Sequence, residues 1–376
     1  MGYVAVQGGI KAIENAEELA KYLRLKGKSV PVEVQQIIDQ MSFLVDRVMG
    51  EGGLYSPFHA ALAIKQAEGD PLEAAFYVRA YRSTLRRVVD SIPIDTKYMR
   101  LSRRISSAFK NIPGGQVLGA TPDYRQRILD FSLTEETSES TDTFVYEYEA
   151  RQEAEQKELN SESFCKVVDM LRDQGLVSRA EQTEETPRKD ITKDSIDYPL
   201  HRSGRLQMLS RGETGGLLAL AYSSMRGFGS IHPTIAELRI GWVKVKIPHP
   251  YRKNESITIG SIQISEVEIL ASAHKKKDED KPTFSLGYGS CFGHNEVKAI
   301  SIATLDRTMK VEGGAAPSEN QEFVLYHTDG IESSGFCSHF KLPHYITFQS
   351  TLDRLRAKQK TMEKPGMAAV GEVLHA

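Results

Sequence analysis

A chain of 376 residues with 40% hydrophobic and 26% charged side chains has globular composition, which excludes collagen-like, mucin-like and wholly disordered classes. Its 48 Lys and Arg against 50 Asp and Glu leave a formal charge of −2, so no bulk positive field advertises nucleic acid or an anionic membrane. The three cysteines, Cys165, Cys291 and Cys337, are too far apart for a disulfide framework, and neither a leader nor a membrane-length apolar run is seen, so a cytoplasmic protein is expected.

Tyr3 to Val6 alternates like a short strand and runs into Gly8-Gly9, after which helical spacing over 10–25 stops at Gly27. Pro31 stands where a first-turn proline belongs, and Val34, Ile37, Ile38, Met41, Leu44, Val45 and Val48 form one 3.6-period stripe, predicting a single amphipathic helix to about Gly50. Further helices are predicted over 57–67 and 71–89, the second opened by Asp70 as cap and Pro71 in the first turn. Residues 1–131 thus read as a helical N-terminal domain.

From 132 the character changes. Glu135, Glu136, Glu139, Asp142, Glu147, Glu149, Glu153, Glu155 and Glu158 face only Arg151 and Lys157 before residue 163, a composition that builds core poorly. A short helix over 164–172 carries Val167, Val168 and Leu171 on one face, with Gly175 as its stop, and 181–197 is polar again. Residues 132–197 therefore read as an acidic linker or insertion with one docked helix. Beyond it, a helix is predicted over 217–225, strands over 236–247, 256–269 and 322–327, and a helix over 296–308. A last helix over 348–360 precedes a tail, so the domains are 198–347, mixed, and 348–376. Helices first and strands later predict an α+β fold.

The sharpest constellation is Cys337-Ser-His339-Phe-Lys-Leu-Pro343-His344-Tyr345. In an ideal strand, residues five apart point to opposite faces, so His339 and His344 share a ligand only if Pro343 bends the backbone between them. Neutral imidazoles then offer two positions to a metal such as zinc. The competing reading is a chance spacing on an exposed turn, and Cys337 is either a third ligand or a small buried thiol.

Arg202-Ser-Gly204-Arg205, Arg211-Gly-Glu213-Thr-Gly215-Gly216 and Arg226-Gly227-Phe228-Gly229 combine forked donors with glycines that let backbone amides approach phosphate oxygens. Arg202, Arg205, Arg211 and Arg226 are the candidates for nucleotide phosphates; structural turns with surface arginines are the alternative. No GxxxxGK[ST] or GxGxxG occurs in a strand-to-helix context, so neither a P-loop nor a dinucleotide fold is expected. Arg100, Arg103 and Arg104, in a basic cluster with Lys110, are predicted on one face of a helix that meets a polyphosphate, an acidic partner surface or simply water. Glu213, Glu237 and Asp306 are possible acids or bases, and nothing in the sequence selects a catalytic residue. Gly-x-Ser-x-Gly is absent and aromatics do not interleave with basic residues, which argues against a serine hydrolase and against nucleic-acid binding.

Five stretches then line up in order: Val45-Asp-Arg-Val-Met-Gly-Glu-Gly-Gly53, Arg79-Ala-Tyr-Arg-Ser-Thr-Leu85, Ile112-Pro-Gly-Gly-Gln116, Leu217-Leu-Ala-Leu-Ala-Tyr-Ser223 with Arg226-Gly-Phe-Gly229, and His339-Phe-Lys-Leu-Pro-His344. Together they resemble the PhnI family, a subunit of the bacterial carbon–phosphorus lyase system, over most of the chain outside the acidic segment and the tail. The resemblance implies a step in phosphonate metabolism in which ATP or GTP and an alkylphosphonate give the free purine and α-D-ribose 1-phosphonate 5-triphosphate, with purine nucleotide nucleosidase activity when the subunit is alone. It implies partners PhnG, PhnH and PhnJ in a two-fold symmetric core, with the ATP-binding-cassette subunits PhnK and PhnL joining them. It also implies that His339 and His344 bind Zn2+ at the boundary with PhnJ, with Cys337 outside the site. A non-catalytic scaffold that contributes half a zinc site to a partner's active site is the alternative.

Overall fold

Helices occupy the chain up to Thr84 and an antiparallel sheet dominates from Thr234 onward, the α+β class expected from the change of period. The computed structural model describes residues 8–155, 164–178, 189–227, 232–272, 282–311 and 316–362; the strand predicted at Tyr3 to Val6, Phe228-Gly229 and the tail lie outside them. The chain divides into two compact units, Val34–Asp329 and the joined ends Met1–Glu33 with Gly330–Ala376.

In the smaller unit, α1 (Gly9–Leu25) matches the helix predicted there, and α12 (Gly330–His339) and α13 (Tyr345–Met362) follow at the other end. None of the three helices buries a residue. Phe336, Phe340, Ile346 and Phe348 are all exposed.

The larger unit opens with α2 (Val34–Gln40), α3 (Ser42–Gly52), α4 (Pro57–Gln66) and α5 (Pro71–Thr84). The single helix predicted through Met41 is broken there: Met41 takes ψ 40°, outside the helical well, and its own side chain is exposed. The break lets Ile37 of α2 and Val45, Val48 and Met49 of α3 enter one cluster with Ala60, Ile64, Ala74 and Val78, so packing overrides the continuous stripe. Asp70 caps α5 as expected, its Oδ1 accepting from the amides of Leu72 and Glu73 at 2.8 and 3.1 Å. α5 stops at Thr84 and not at 89, because Leu85, Val88 and Val89 have nothing to pack against and remain exposed.

The sheet runs in the order β1 (Arg100–Ile105), β2 (Thr234–Pro248), β3 (Ser256–Ala271), β4 (Ser285–Phe292), each pair antiparallel. The helix predicted for Arg100, Arg103 and Arg104 is therefore a strand. Its pairing with β2 and the burial of both Arg103 and Arg104 outweigh a basic helical face that only water would have solvated. β4 and α8 (Arg202–Arg211) have no counterpart among the predicted elements.

One face of the sheet presents Leu238, Ile240, Val267 and Ile269 to α10 (Glu296–Thr308), with α9 (Thr214–Met225) and α11 (Gln321–His327) completing the layer. Gly287 and Gly289 permit that approach: a Cβ on either would lie 2.1 or 2.2 Å from the carbonyls of Ala303 and Ala299. The strand predicted over 322–327 is α11, started by Asn320, whose side-chain oxygen accepts from Phe323 N at 2.9 Å, and Val324 and Leu325 are both buried instead of alternating.

The acidic stretch contains an unpredicted helix, α6 (Ser138–Glu155), and every residue from 132 to 152 is exposed. α7 (Val167–Asp173) docks through Val167, Val168 and Leu171, as its spacing predicts, onto Ile112, Ala236 and Leu270.

Candidate functional site

His339 is the last residue of α12 and His344 immediately precedes α13, so the pair sits on a helix–turn–helix and not on the bent strand the spacing suggested. The amides of Phe340 and Leu342 turn back onto the carbonyls of Cys337 and His339 at 3.2 and 2.9 Å, and Pro343, which has no amide to offer, ends the turn. The two imidazole centroids are 5.3 Å apart. His344 Nδ1 lies 2.6 Å from the Leu342 carbonyl, and His339 Nδ1 bonds the Phe336 carbonyl. A carbonyl only accepts, so Nδ1 carries the proton in both neutral rings and Nε2 keeps the lone pair, the tautomer a metal needs. Cys337 is exposed on α12, not buried, and among the described residues no group of three His, Cys, Asp or Glu forms a metal site.

The four candidate phosphate arginines do not converge. Arg202, in the first turn of α8, lies 5.7 Å over the Tyr288 ring and 3.6 Å from Asp306, and Arg205 follows one turn later with Nη1 3.4 Å from the Leu200 carbonyl. Arg211 closes α8, nine residues or about 13 Å along the helix, beside Arg79 of α5. Arg226 caps the C-terminal end of α9.

The carboxylates singled out from the sequence are committed to the fold. Glu213 caps α9, accepting from Gly215 N and Gly216 N at 2.8 and 2.6 Å while Arg47 pairs with it at 2.6 Å. Asp306 is fully buried, accepting from Tyr288 N at 3.0 Å and pairing with Lys310 at 2.8 Å. Glu237 is buried against Arg104 at 2.6 Å and accepts from Val167 N at 3.0 Å.

Glu237 belongs to a lattice of charge that the sequence reading missed, on the sheet face opposite α10. Register sets Arg104 against Arg239 and Glu237 against Glu268, like charges opposite one another, and only Arg239 against Glu266 is complementary; all lie on one face, and Arg104 reaches Glu237 off register, so the like pairs are compensated by neighbours across three strands. Arg239 forks onto Glu266, which also accepts from Lys166 Nζ at 3.0 Å, Thr96 Oγ1 at 2.7 Å and Tyr288 OH at 3.1 Å. Burial disfavours the Glu266 anion, but Arg239 and Lys166 prevail and hold its pKa at about 2. Among the described residues Glu268 has a single ion-pair partner, Lys166 at 3.8 Å, and burial outweighs Lys166 and Arg239 and lifts it to about 7. The available signal was Glu266-Val-Glu268 and Glu237-Leu-Arg239, charges at strand period between apolar residues; their partners could not be inferred locally. Arg103 points the other way, to Asp123 and Glu296 at 2.5 and 2.8 Å, and Lys110 is exposed, so the basic cluster read from the sequence is dispersed.

A family model described as bacterial phosphonate metabolism protein (PhnI) matches residues 2–362. A putative C-P lyase subunit protein HtxH from Stutzerimonas stutzeri is 50% identical over 364 residues, 96% of either chain. Alpha-D-ribose 1-methylphosphonate 5-triphosphate synthase subunit PhnI from Escherichia coli (strain K12) is 42% identical over 95% of this chain and 98% of its own. The subunit of that name from Rhizobium meliloti (strain 1021) is 40% identical over 95% of each.

Proposed function

The chain belongs to the PhnI family of bacterial phosphonate metabolism proteins, and on that premise we propose that it is the carbon–phosphorus lyase subunit that replaces the purine of ATP or GTP by an alkylphosphonate. What carries this reading is the near full-length likeness to two relatives named as 5-triphosphate synthase subunits. In the proposed step a phosphonate oxygen forms a bond to the anomeric carbon as the bond to the purine nitrogen breaks, and the departing purine takes up a proton. A β-nucleotide giving an α-product is one inversion, so a single displacement with an oxocarbenium-like transition state suffices, and no covalent enzyme intermediate is required. Arginines hold the triphosphate, Arg202, Arg205, Arg211 and Arg226 being the candidates, and positioning of the phosphonate is shared with partner subunits.

The histidine turn fits Zn2+. Among the described residues neither Nε2 has a hydrogen-bond partner, both Nδ1 atoms are tied to carbonyls, and the ring centroids are 5.3 Å apart. Such an ion supplies Lewis-acid charge there. Two imidazoles leave coordination positions for a partner, which accords with a unit whose helices bury nothing of their own, and PhnG, PhnH, PhnJ, PhnK and PhnL are the partners proposed. No helix among the described residues is long and apolar enough to cross a membrane, and a cytoplasmic location is proposed with the pathway. The same bare helices favour a second reading, a scaffold that lends half a zinc site. Incubating the purified chain with ATP and following adenine by chromatography separates the two: release supports the nucleosidase, and none in the chain or in the assembled complex leaves the scaffold.

A further inference from the structure

The two long strands outrun the rest of their sheet. β1 pairs with β2 only as far as Trp242, and β4 pairs with β3 only as far as Ile264, so residues 243–248 and 256–263 continue as a two-stranded ribbon. Its faces differ. Val243, Val245 and Ile247 stand opposite Ile262, Gly260 and Ile257 on one face; Lys244 and Lys246, both exposed, stand opposite Ser261 and Thr258 on the other. Arg252 and Lys253 add to this charge in the connecting turn, and Glu255 is the only acid between residues 243 and 262.

The two edges of the ribbon are treated unequally. Along β2, Ile92 N donates to the Lys246 carbonyl at 2.8 Å, and Ile94 packs against the cluster of Met99, Val243 and Ile264. Along β3 the last satisfied rung is Gln263, whose amide donates to Tyr55 Oη at 3.0 Å and whose carbonyl accepts from Gly293 N at 2.8 Å. Both bonds point away from β2, so by the two-residue period the Ser261 N–H and C=O point the same way, and among the described residues nothing pairs with them. From Ser256 to Ile262 this edge reads Ser-Ile-Thr-Ile-Gly-Ser-Ile, with no charge or proline to repel a neighbouring strand, and Ile257 and Ile259 are exposed. Its one irregularity is the extra residue Ile259, between the pairs Val245–Gly260 and Lys246–Thr258. We propose that the β3 edge over residues 256–262 docks an extended segment of a partner protein, one in which acidic and apolar residues alternate, as a further strand of the sheet. Main-chain bonds hold such a strand, its apolar side chains continue the face of Ile257 and Ile262, and its carboxylates meet Lys244 and Lys246 over the short side chains of Ser261 and Thr258. A second copy of this chain is disfavoured by charge, since two ribbons with four basic residues against one acid repel each other. The inference does not depend on the proposed reaction.

Titration of the full chain into a fluorescein-labelled octapeptide of alternating Glu and Val, read by fluorescence polarisation, tests the edge. The peptide should bind, its Lys-Val counterpart should not, and bound peptide should slow deuterium exchange over residues 256–262, which mere charge attraction would leave unchanged. The double variant K244E/K246E should weaken binding roughly tenfold or more. S261P removes an amide that faces outward and so costs the β2–β3 ladder nothing; it should melt with the parent and weaken binding by at least about tenfold. If S261P melts lower, two peptides N-methylated on alternate amides, one on each set, replace it: strand addition tolerates one set and rejects the other. Failure of the Glu-Val peptide to bind, equal binding of both peptides, parent-like binding by a stable S261P, or equal binding of the two methylated peptides overturns the proposal. Sedimentation of the full chain completes the test, because a dimer that S261P returns to monomer would put a second copy on this edge and overturn the acidic partner.

Discussion

The two compact units handle polar and apolar groups in opposite ways. In the larger one, Arg104, Arg239, Lys166, Glu237 and Glu266 are withdrawn from water and matched to one another across strands, and ten of the thirteen residues of α10 are buried. In the smaller one, α1, α12 and α13 bury nothing, and Phe336, Phe340, Ile346 and Phe348 face outward beside the two histidines. Stability is thus concentrated where the charges are hidden, and the metal-ligand candidates stand where the chain's own packing contributes least. Exposed apolar patches of that kind mark interaction surfaces, so the histidine turn is suited to a task completed by another subunit.

The strongest way to break this comparison is to open the lattice. R104A or E237A strands a buried charge and should cost about 3–5 kcal/mol, seen as a lowered midpoint in urea denaturation. A change below about 1 kcal/mol would mean that the sheet face is wetter than its geometry indicates.

A pH series sharpens it. Glu268 is raised to about 7 in the fold, above the ordinary glutamate value, so between about pH 4.5 and 7 the folded state holds a proton the unfolded state has lost. Its contribution to stability is therefore full in acid and declines, by up to about 3 kcal/mol, as pH rises through that window. Glu266, lowered to about 2, acts the other way, its contribution being lost as pH falls from about 4.5 through 2. Urea denaturation at several pH values should show a decline between pH 5 and 7 that E268Q flattens; an E268Q profile parallel to the parent would remove Glu268 as its source.

The smallest effect on the fold is expected at the histidine turn. H339A and H344A should each shift stability by less than about 1 kcal/mol, His339 being half-buried in a helix that buries nothing fully and His344 exposed, yet both should empty the proposed zinc position in the assembled complex. Metal analysis by mass spectrometry checks this. Full zinc in the double variant would put the metal elsewhere.

Legibility in the sequence followed the range of the interactions. Asp70-Pro71 and the alternation of β2 and β3 are local signals, and they located α5 and the two long strands. His339 and His344 are near neighbours, and their pairing was visible although their backbone was misread as a strand. Arg103 and Arg104 were misread because what buries them is remote: Glu237 lies 133 positions from Arg104. β4 was hidden by the glycines that let α10 approach, since glycine dilutes the very pattern by which a strand is recognised.

The pairing of β1 with β2 also sets a timetable for synthesis. Ile105 leaves the ribosome about 130 residues before Thr234, and at ~5–20 residues per second β1 waits roughly 6–26 s for the strand it will join. During that interval it is an open edge, free to template association with other nascent chains. Arg100, Arg103 and Arg104 give the waiting strand three positive charges, which keep it hydrated and mutually repelling until Glu237 arrives and two of them pass into the interior.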